Sequence, residues 1–299
     1  MKKSIIKKLF IKLSRFLGYE IIDQSNFSSP TLRKQLNEDL SIINEKSIVL
    51  PLGEVNITKK VISVLIIFRT NTDIEIWDQN KKRLFELPKI EYSLRSLNSL
   101  IKSVNFSKTK YSNIKFKIII VDDKSKNENL NKIKSLIERS GLDIVIRPLN
   151  HDKYRNIIKQ QKNDQTFSNL ASLLQSFEIG KELGKDLVYF VEDDYLHFEP
   201  MMEEMIASYE RIASQLKKDI FMCPADYPYL YMDNEKTNIL IGNKRHWRTI
   251  SRTLCTFMTT KPLLNKYWNN FYNNCLDRHN PFEKHLNEIY TKEFCISPL

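Results

Sequence analysis

Three short, continuous apolar runs constrain the fold of this chain more than any other feature of its sequence. Residues 61–68 read VISVLIIF, residues 116–121 read FKIIIV and residues 187–191 read LVYFV. β-Branched and aromatic residues favour strands, and a strand without polar alternation is typical of a sheet that is covered on both faces. We therefore predict that these runs are buried strands of a parallel sheet.

Helical patterns separate the predicted strands. Pro88 opens a pattern with apolar residues every three or four positions, and a second amphipathic pattern covers residues 129–139 and stops at Gly141. Residues 143–147 are predicted as a further strand, and Asp164 is predicted to cap the next helix. This alternation predicts an α/β fold with a mostly parallel, Rossmann-like sheet that is flanked by helices.

The sequence suggests four segments. Its 299 residues suffice for one large domain or two small ones. We predict a basic amphipathic helix within residues 1–24, a polar linker over residues 25–59, and the two halves of one α/β domain over residues 60–200 and 201–299. No run approaches the roughly 20 apolar residues that a membrane-spanning helix needs.

The net charge of +11 favours an anionic partner, and part of it is concentrated at the N-terminus. Within residues 1–20, six lysines and arginines accompany one glutamate, and the apolar residues fall on one helical face. This pattern is typical of a helix on an anionic membrane surface, and equally of a helix packed on the domain or on a partner. The membrane interpretation predicts a cytoplasmic protein, peripheral at the inner face of the membrane.

Several functional classes are disfavoured by what the sequence lacks. Glycine occurs only 6 times, and neither a dinucleotide-binding nor a P-loop motif is present. The four cysteines are widely spaced without a C-x-x-C pair, which indicates reduced thiols in a cytosolic compartment rather than a zinc site. No recognised nucleic-acid-binding motif occurs, so a nucleic-acid partner is disfavoured despite the positive charge.

Two acidic clusters follow directly on predicted buried strands. Asp122 and Asp123 come after the second strand, and Glu192, Asp193 and Asp194 come after the fourth. Ligands of parallel α/β sheets bind at the carboxyl ends of the strands, so both clusters are expected at one crevice. Converging carboxylates need a cation, and Mg²⁺ or Mn²⁺ is typically held by one or two carboxylates together with water and diphosphate oxygens.

Both acidic segments resemble motifs of GT-A fold glycosyltransferases. The resemblance is carried by V-D-D-K-S at residues 121–125 and F-V-E-D-D-Y at residues 190–195, and it covers residues 61–200. The second segment is similar to the E-D-D segment of N-acetylglucosaminyltransferase I, and the layout resembles glycosyltransferase family 2. The resemblance implies a D-x-D-type site for Mn²⁺ or Mg²⁺, a nucleotide-sugar donor with UDP favoured, and a glycan or lipid-linked acceptor.

The resemblance also implies roles for individual residues. Asp122 or Asp123 would contact the base, Glu192 the ribose or a metal-bound water, and Asp194 the metal directly. Arg69 follows the first strand, where such enzymes begin their nucleotide pocket, although Phe-Arg-Thr replaces the usual Pro-x-Tyr-Asn. The predicted nucleotide-sugar site comprises Arg69, Asp122, Asp123, Glu192 and Asp193, and the predicted metal ligands are Asp194 and Glu192.

A catalytic base is needed if the reaction inverts the configuration of the sugar, because the pKa of an acceptor hydroxyl is far above 7. In the fold that the resemblance implies, this base usually comes from the carboxyl-terminal third, near the start of a helix. Asp277 and Glu283 are the candidates, and Glu283 ranks first because Pro281 predicts a helix start there. A structural role is an equally good explanation of Glu283, since a glutamate in the first turn of a helix interacts favourably with the helix dipole.

Aromatic and basic residues cluster at residues 226–231 and 246–257. Sugar faces stack on aromatic rings, and arginines bind phosphates. These residues therefore predict contacts to the acceptor or the diphosphate, with a packed β-hairpin as the alternative for the tyrosines. The candidates are Tyr229, Trp247, Arg248 and Arg252.

The sequence thus predicts a metal-dependent, inverting hexosyltransferase that acts in surface polysaccharide or glycolipid synthesis. A sugar nucleotidyltransferase shares the acidic α/β site, but residues 69–72 read RTNT where a glycine-rich phosphate loop is expected. A basic nucleic-acid- or glycan-binding protein is the alternative without catalysis, and the net charge favours it.

Overall fold

The computed structural model shows a mixed α/β fold around one large sheet. It describes residues 5–19, 41–42, 44, 46–49, 53–73, 87–161, 163–232 and 236–299. The strands are β1 (Ser41–Ile42), β2 (Lys46–Val49), β3 (Gly53–Asn56), β4 (Ser63–Thr70), β5 (Lys115–Asp122), β6 (Ile144–Pro148), β7 (Leu187–Glu192), β8 (Phe221–Met222), β9 (Ile239–Ile241), β10 (His246–Thr249), β11 (Phe257–Thr260) and β12 (Cys295–Pro298).

The described helices follow the alternation that the sequence predicts in its first half. They are α1 (Ile5–Phe16), α2 (Lys89–Lys110), α3 (Asn127–Ser140), α4 (His151–Arg155), α5 (Asp164–Leu183), α6 (Met201–Leu216), α7 (Lys261–Lys266), α8 (Trp268–Asn274) and α9 (Lys284–Tyr290), with a 3-10 helix at Pro228–Tyr231. Long helices lie between the parallel strands, whereas those after β11 are short. The α/β class is therefore confirmed.

The large sheet has the strand order β6-β5-β4-β7-β11-β8-β12-β10-β9. Strands β6, β5, β4 and β7 are parallel. Strand β11 runs antiparallel between β7 and β8, and β10 runs antiparallel to both of its neighbours. The predicted parallel sheet is formed by β6, β5, β4 and β7, whereas the remaining strands pair antiparallel except for β8 with β12, which are parallel.

The hydrophobic core forms two layers, one on each face of the sheet. Successive side chains of a strand point to opposite faces, so a run of apolar residues such as that of β4 supplies both layers. Leu65 and Ile67 pack in the layer beneath α5, and Ile66 and Phe68 pack in the layer beneath α2 and α6. Apolar burial on both faces fixes the strands, and their carboxyl ends lie side by side as a consequence.

The ends of two helices illustrate how local sequence decides structure. Helix α3 ends at Gly141, whose φ of 67° lies in the left-handed region that glycine adopts without strain, as predicted. Helix α5 begins at Asp164, but Asn163 caps it, because the Asn163 side chain accepts a hydrogen bond from the Thr166 backbone N–H at 2.8 Å. The prediction that Asp164 is the capping residue is therefore wrong by one position.

The segment predicted as a linker contains regular structure. Strands β1, β2 and β3 form a small antiparallel sheet within residues 25–59. Helix α6 contacts this segment and the residues just after it, because Glu210 accepts hydrogen bonds from the backbone N–H groups of Asn44 and Val61. The short polar strands carried no strong periodic signal, so their pairing was not apparent from the sequence.

Helix α1 presents an exposed apolar face. The side chains of Leu9, Phe10, Leu13 and Leu17 are exposed, and Phe16 is 88% exposed. No helix or strand in the described ranges packs extensively against it. None of the described helices is long and apolar enough to cross a membrane. The predicted membrane contact of residues 1–20 remains a prediction, and its first four residues lie outside the described ranges.

Candidate active site

A cavity of about 1090 Å³ opens at the carboxyl ends of β4 and β7. This is the edge of a parallel α/β sheet where ligands bind. Side chains from both acidic segments and from the chain just before α9 lie in its wall, so the parallel strands bring distant parts of the sequence together. The residues predicted as site residues that line it are Arg69, Asp123, Glu192, Asp193, Asp194 and Glu283.

Arg69 is held by acceptors on two other elements. Its Nη2 donates to Glu192 Oε1 at 2.5 Å, and its Nη1 donates to the side chains of Asn169 and Ser172 at 3.0 Å each. The residue is only 7% exposed. Burial raises the pKa of Glu192 above its ordinary value, and the Arg69 charge opposes this effect. Arg69 therefore joins β4, α5 and β7 at the cavity wall and partly neutralises Glu192.

Asp193 makes hydrogen bonds that tie α2 to the sheet. Its carboxylate accepts from Lys89 Nζ at 2.6 Å, from Ser93 Oγ at 2.6 Å and from Thr70 Oγ1 at 2.7 Å. Asp193 is buried, so these donors replace the water that an ionised carboxylate needs. These hydrogen bonds fix this part of the cavity wall. The contact of Asp193 to the nucleotide sugar stays a prediction.

Asp194 differs from its two neighbours. It lines the cavity, its side chain is exposed, and it forms no ion pair among the described residues. No group of three or more histidine, cysteine, aspartate or glutamate side chains in the described ranges could hold a metal. One carboxylate at a cavity still fits Mg²⁺ or Mn²⁺, because these ions are commonly held by one or two carboxylates, with diphosphate and water as the remaining ligands.

Both residues of the first acidic pair are buried, but only one of them lines the cavity. Asp123 lines the cavity, and its carboxylate accepts from Asn71 Nδ2 at 3.0 Å and lies 2.6 Å from His151 Nε2. Asp122 does not line the cavity; it accepts from the Ser125 backbone N–H at 3.2 Å, and its Oδ1 has no hydrogen-bond partner among the described residues. Burial raises the pKa of Asp122. Of the two residues predicted to contact a base, only Asp123 lines the cavity, although both are buried.

Glu283 stands directly before α9, as its predicted place at a helix start requires. It lines the cavity opposite the sheet residues and forms no ion pair within the described ranges. The Cys255 thiol donates to its Oε1 over 3.8 Å. Burial raises the pKa of Glu283 to about 7, and the negative charge of Glu192 adds to this effect. A carboxyl group with this pKa can accept a proton near neutral pH.

Asp277, the second candidate base, lies in a different environment. Its carboxylate accepts from Lys159 Nζ at 3.0 Å and from Gln161 Nε2 at 3.2 Å, and it is not among the residues that line the cavity. The hydrogen bond from Lys159 lowers the pKa of Asp277. Through these contacts Asp277 connects the segment that follows α4 with the segment that follows α8 at the protein surface.

The four predicted acceptor or diphosphate residues do not line the cavity. Trp247 is 1% exposed and donates its indole N–H to Glu204 in the core. Arg248 pairs with Asp226 at 2.5 Å, and Arg252 lies over the ring of Tyr229, with 5.5 Å to its centroid. Strand β10, which carries Trp247 and Arg248, is four strands away from β7 toward one edge of the sheet. The sequence of β10 does not indicate this position.

Several residues of the site were missed by the sequence analysis. Lys89, Asn169, Ser172 and Arg278 line the cavity, and His151 contacts Asp123. Only Lys89 carried a signal, because a cation in the first turn of a helix is disfavoured by the helix dipole and therefore needs a special reason. The ion pair with Asp193 offsets the unfavourable interaction of Lys89 with the helix dipole. The remaining positions are ordinary polar residues of helices and loops.

No protein-family model matches the chain, and no curated protein sequence matches it. Solved structures do show similarity. S. aureus TarS 1–349 in complex with UDP is 15% identical over 72% of this chain and 55% of that chain, with a TM-score of 0.39. The chain therefore spans about half the length of this TarS chain.

Two further structures show a similarity of the same degree. LgtC, a galactosyltransferase in complex with donor and acceptor sugar analogues, is 9% identical over 76% of this chain and 70% of that chain, with a TM-score of 0.36. A nucleoside-diphosphate-sugar pyrophosphorylase from Vibrio cholerae RC9 is 6% identical over 78% of this chain and 90% of that chain, with a TM-score of 0.34. We base the function on the side chains of the site.

Proposed function

We propose that the chain is a metal-dependent, inverting glycosyltransferase of the GT-A type, with a layout like that of family 2 and the E-D-D segment as its metal motif. It moves a hexose from a nucleotide-diphosphate sugar to a hydroxyl of a glycan or lipid-linked acceptor, in surface polysaccharide or glycolipid synthesis. One observation carries this proposal: Asp194, which has no ion-pair partner in the described part of the chain, and Glu283, with a pKa of about 7, line the same cavity.

The sheet side of the cavity is proposed to bind the donor, with UDP as the favoured nucleotide. Asp123 accepts a hydrogen bond from the base, with His151 holding its carboxylate in place. Glu192 has one oxygen bound to Arg69, and its side chain, which is 31% exposed, leaves the other oxygen for a ribose hydroxyl. Arg69 and Asp193 position these groups rather than bind the nucleotide themselves, since described partners already occupy their hydrogen-bonding atoms.

Asp194 is proposed to hold Mn²⁺ or Mg²⁺ together with the donor diphosphate. A bound divalent ion would neutralise the charge that develops on the diphosphate leaving group. Glu192 is at most an indirect contact, through water, because Arg69 already occupies one of its oxygens. Lys89 pairs with Asp193 and thereby keeps this neighbouring charge from repelling the phosphates.

Glu283 is proposed to be the general base. It takes the proton of the acceptor hydroxyl as that oxygen attacks the anomeric carbon, which inverts the configuration. Burial keeps its pKa high enough to accept a proton, and a group with a pKa near the working pH is the most efficient base. We assign the acceptor to the part of the cavity beside Glu283, where Leu254 and Arg278 line the wall.

Helix α1 is proposed to bring the enzyme to the cytoplasmic face of a membrane. Its exposed apolar face would enter the lipid interface, and its lysines and arginines would contact anionic headgroups. Each basic residue near such a surface contributes about 1 kcal/mol. This element supports an acceptor that is synthesised or held at the membrane.

The deciding experiment supplies the purified chain with a panel of nucleotide sugars and Mn²⁺ and measures release of the nucleoside diphosphate. A parallel reaction supplies nucleoside triphosphates and sugar 1-phosphates and measures pyrophosphate. Diphosphate release supports the glycosyltransferase, and pyrophosphate formation alone would establish the nucleotidyltransferase. Binding of RNA with a steep salt dependence, together with no affinity for any nucleotide sugar, would favour the binding protein instead.

A further inference from the structure

The Cys255 thiol lies in the wall of the cavity, beside the proposed base. Cys255 lines the cavity but is only 3% exposed, and it stands two residues before strand β11. Its thiol donates to Glu283 Oε1 over 3.8 Å, and it is the only hydrogen-bond donor to Glu283 among the described side chains. The other three cysteines are buried and do not line the cavity.

Burial and charge keep this thiol protonated. Burial raises the pKa of Cys255 well above its ordinary value, and the negative charges of Glu283 and Glu192 raise it further. A thiolate at this place would be poorly solvated and would face carboxylates. Cys255 therefore remains a hydrogen-bond donor over the pH range in which Glu283 ionises.

The residues on either side of Cys255 hold it in this position. The Thr253 hydroxyl is buried and lies 2.9 Å from the Tyr290 hydroxyl, which belongs to α9. The Thr256 hydroxyl accepts a hydrogen bond from the Glu192 backbone N–H at 3.2 Å. The segment before β11 therefore contacts both the helix that begins beside the base and the carboxyl end of β7. It fixes the thiol between the two sides of the cavity.

A neutral donor can orient a carboxylate without giving it an ion-pair partner. Asp277 shows the alternative in the same chain, because Lys159 donates to it at 3.0 Å and lowers its pKa. An ammonium group beside Glu283 would likewise make that carboxylate a weaker base. A thiol is uncharged and a weak donor, so Glu283 keeps a pKa of about 7 while its carboxyl group is held. This combination meets the requirement of a general base.

We propose that Cys255 is a positioning residue for Glu283: its thiol donates to the carboxylate and fixes the direction in which the base faces the acceptor hydroxyl. The other ionisable groups that act on Glu283 or are affected by it are Glu192, Arg69 and Tyr229. None of these three forms a hydrogen bond or an ion pair with Glu283 within the described ranges. The role in catalysis rests on the proposed function, but the contact between thiol and carboxylate does not.

The first test records the S–H stretching bands of the full-length chain by infrared spectroscopy. The band that Cys255→Ser removes should shift to lower frequency as the pH rises through about 7, because an ionised Glu283 is the stronger acceptor. Glu283→Gln should abolish this shift. Cys223 is the matched control, since its buried thiol donates to the Ala225 carbonyl at 3.5 Å. Its band, identified with Cys223→Ser, should not respond to pH.

The second test measures how release of the nucleoside diphosphate depends on pH. Cys255→Ala should lower kcat about tenfold near neutral pH with little change in the KM for the donor, because the ionised base loses a hydrogen bond. The lower limb of the profile should move to higher pH, since the thiol no longer favours the ionised carboxylate. Cys255→Ser retains a donor and should recover part of both effects, and Cys223→Ser should behave as the wild type does.

The outcomes separate this proposal from the proposed function. A Cys255 band that ignores pH, or that responds equally in Glu283→Gln, would overturn the positioning role. A pH profile of Cys255→Ala with the same midpoint as the wild type would do so as well, because a purely structural loss lowers only the amount of folded protein. A band shift that Glu283→Gln removes, together with normal turnover by that variant, would refute Glu283 as the base and leave a contact without a catalytic role.

Discussion

The acidic side chains on the two sides of the cavity differ in their ion-pair partners and in their pKa values. On the sheet side, Glu192, Asp193 and Asp123 each contact a basic side chain and are held in place, whereas Asp194 has no ion-pair partner among the described residues. On the other side, Glu283 has no ion-pair partner in the described part of the chain, and burial raises its pKa to about 7. Carboxylates held by partners give the binding wall a fixed shape, and a carboxyl group whose pKa is raised by burial suits proton transfer. The comparison thus separates a binding wall from a reacting one.

Removing the isolated carboxyl group gives the largest expected effect. Glu283→Gln should lower kcat by ~10²–10⁴-fold, because general base catalysis is lost. The KM for the donor should change little, and release of the nucleoside diphosphate is the readout. Asp277→Asn is the control, since Asp277 pairs with Lys159 outside the cavity. Equal losses in both variants would show that Glu283 has no special role.

Removing the unpaired carboxylate of the sheet side should come next. Asp194→Asn should lower metal-dependent turnover by ~10²–10³-fold, since a metal ion contributes several kcal/mol of charge stabilisation. The affinity for Mn²⁺ in the presence of UDP, measured by calorimetry, should fall as well, while the melting temperature stays the same. Glu199→Gln provides a matched exposed control that does not line the cavity. Unchanged Mn²⁺ affinity in the Asp194 variant would argue against the metal site.

Breaking the Arg69–Glu192 pair tests whether partners hold the binding wall. Arg69→Met should lower the free energy of unfolding by about 2–3 kcal/mol, because Glu192 and the acceptors on α5 lose their donor. The double variant Arg69→Met/Glu192→Gln should lose less, since no unpaired charge remains. Urea denaturation measures both. Equal losses in the two variants would mean that the ion pair itself does not stabilise the fold.

The pH dependence of the rate gives the smallest effect. Glu283 can accept a proton only when ionised, so kcat should fall ~tenfold for each pH unit below about 7 and level off above it. Burial penalises this ionised form, so the same group should destabilise the fold as the pH rises from its ordinary pKa of 4.5 toward 7. Glu283→Gln should therefore remove the pH step in the residual rate. It should also be more stable than the wild type at pH 8.

Much of the parallel half could be predicted because its information is local. Continuous apolar runs such as that of β4 can be buried only as central strands, and acidic residues directly after such runs must reach the same edge of the sheet. Glu283 was also placed correctly at a helix start, because Pro281 signals one. In each case neighbouring residues carry the signal, and the position in space follows from a general rule of α/β topology.

The structure of the second half could not be predicted because its strands pair with strands that are distant in the sequence. Tryptophan is a typical sugar contact, but Trp247 is buried in the core, since β10 pairs with β12 far from the cavity. Arg69 has the position of a nucleotide contact but is already bound to Glu192 and α5. Neither partner is near in sequence, so no local pattern could indicate these contacts.

The amino-acid sequence by itself determined the class of fold, the central strands, and the edge at which the acidic residues gather. Those features follow from hydrophobic periodicity, which acts over a few residues. Only the tertiary structure decided which carboxylates are held by Arg69, Lys89 and His151, and which of Asp277 and Glu283 lines the cavity. Burial and ion pairing depend on side chains that are separated by many residues, and they set the pKa of Glu283 and the partners of each acidic group.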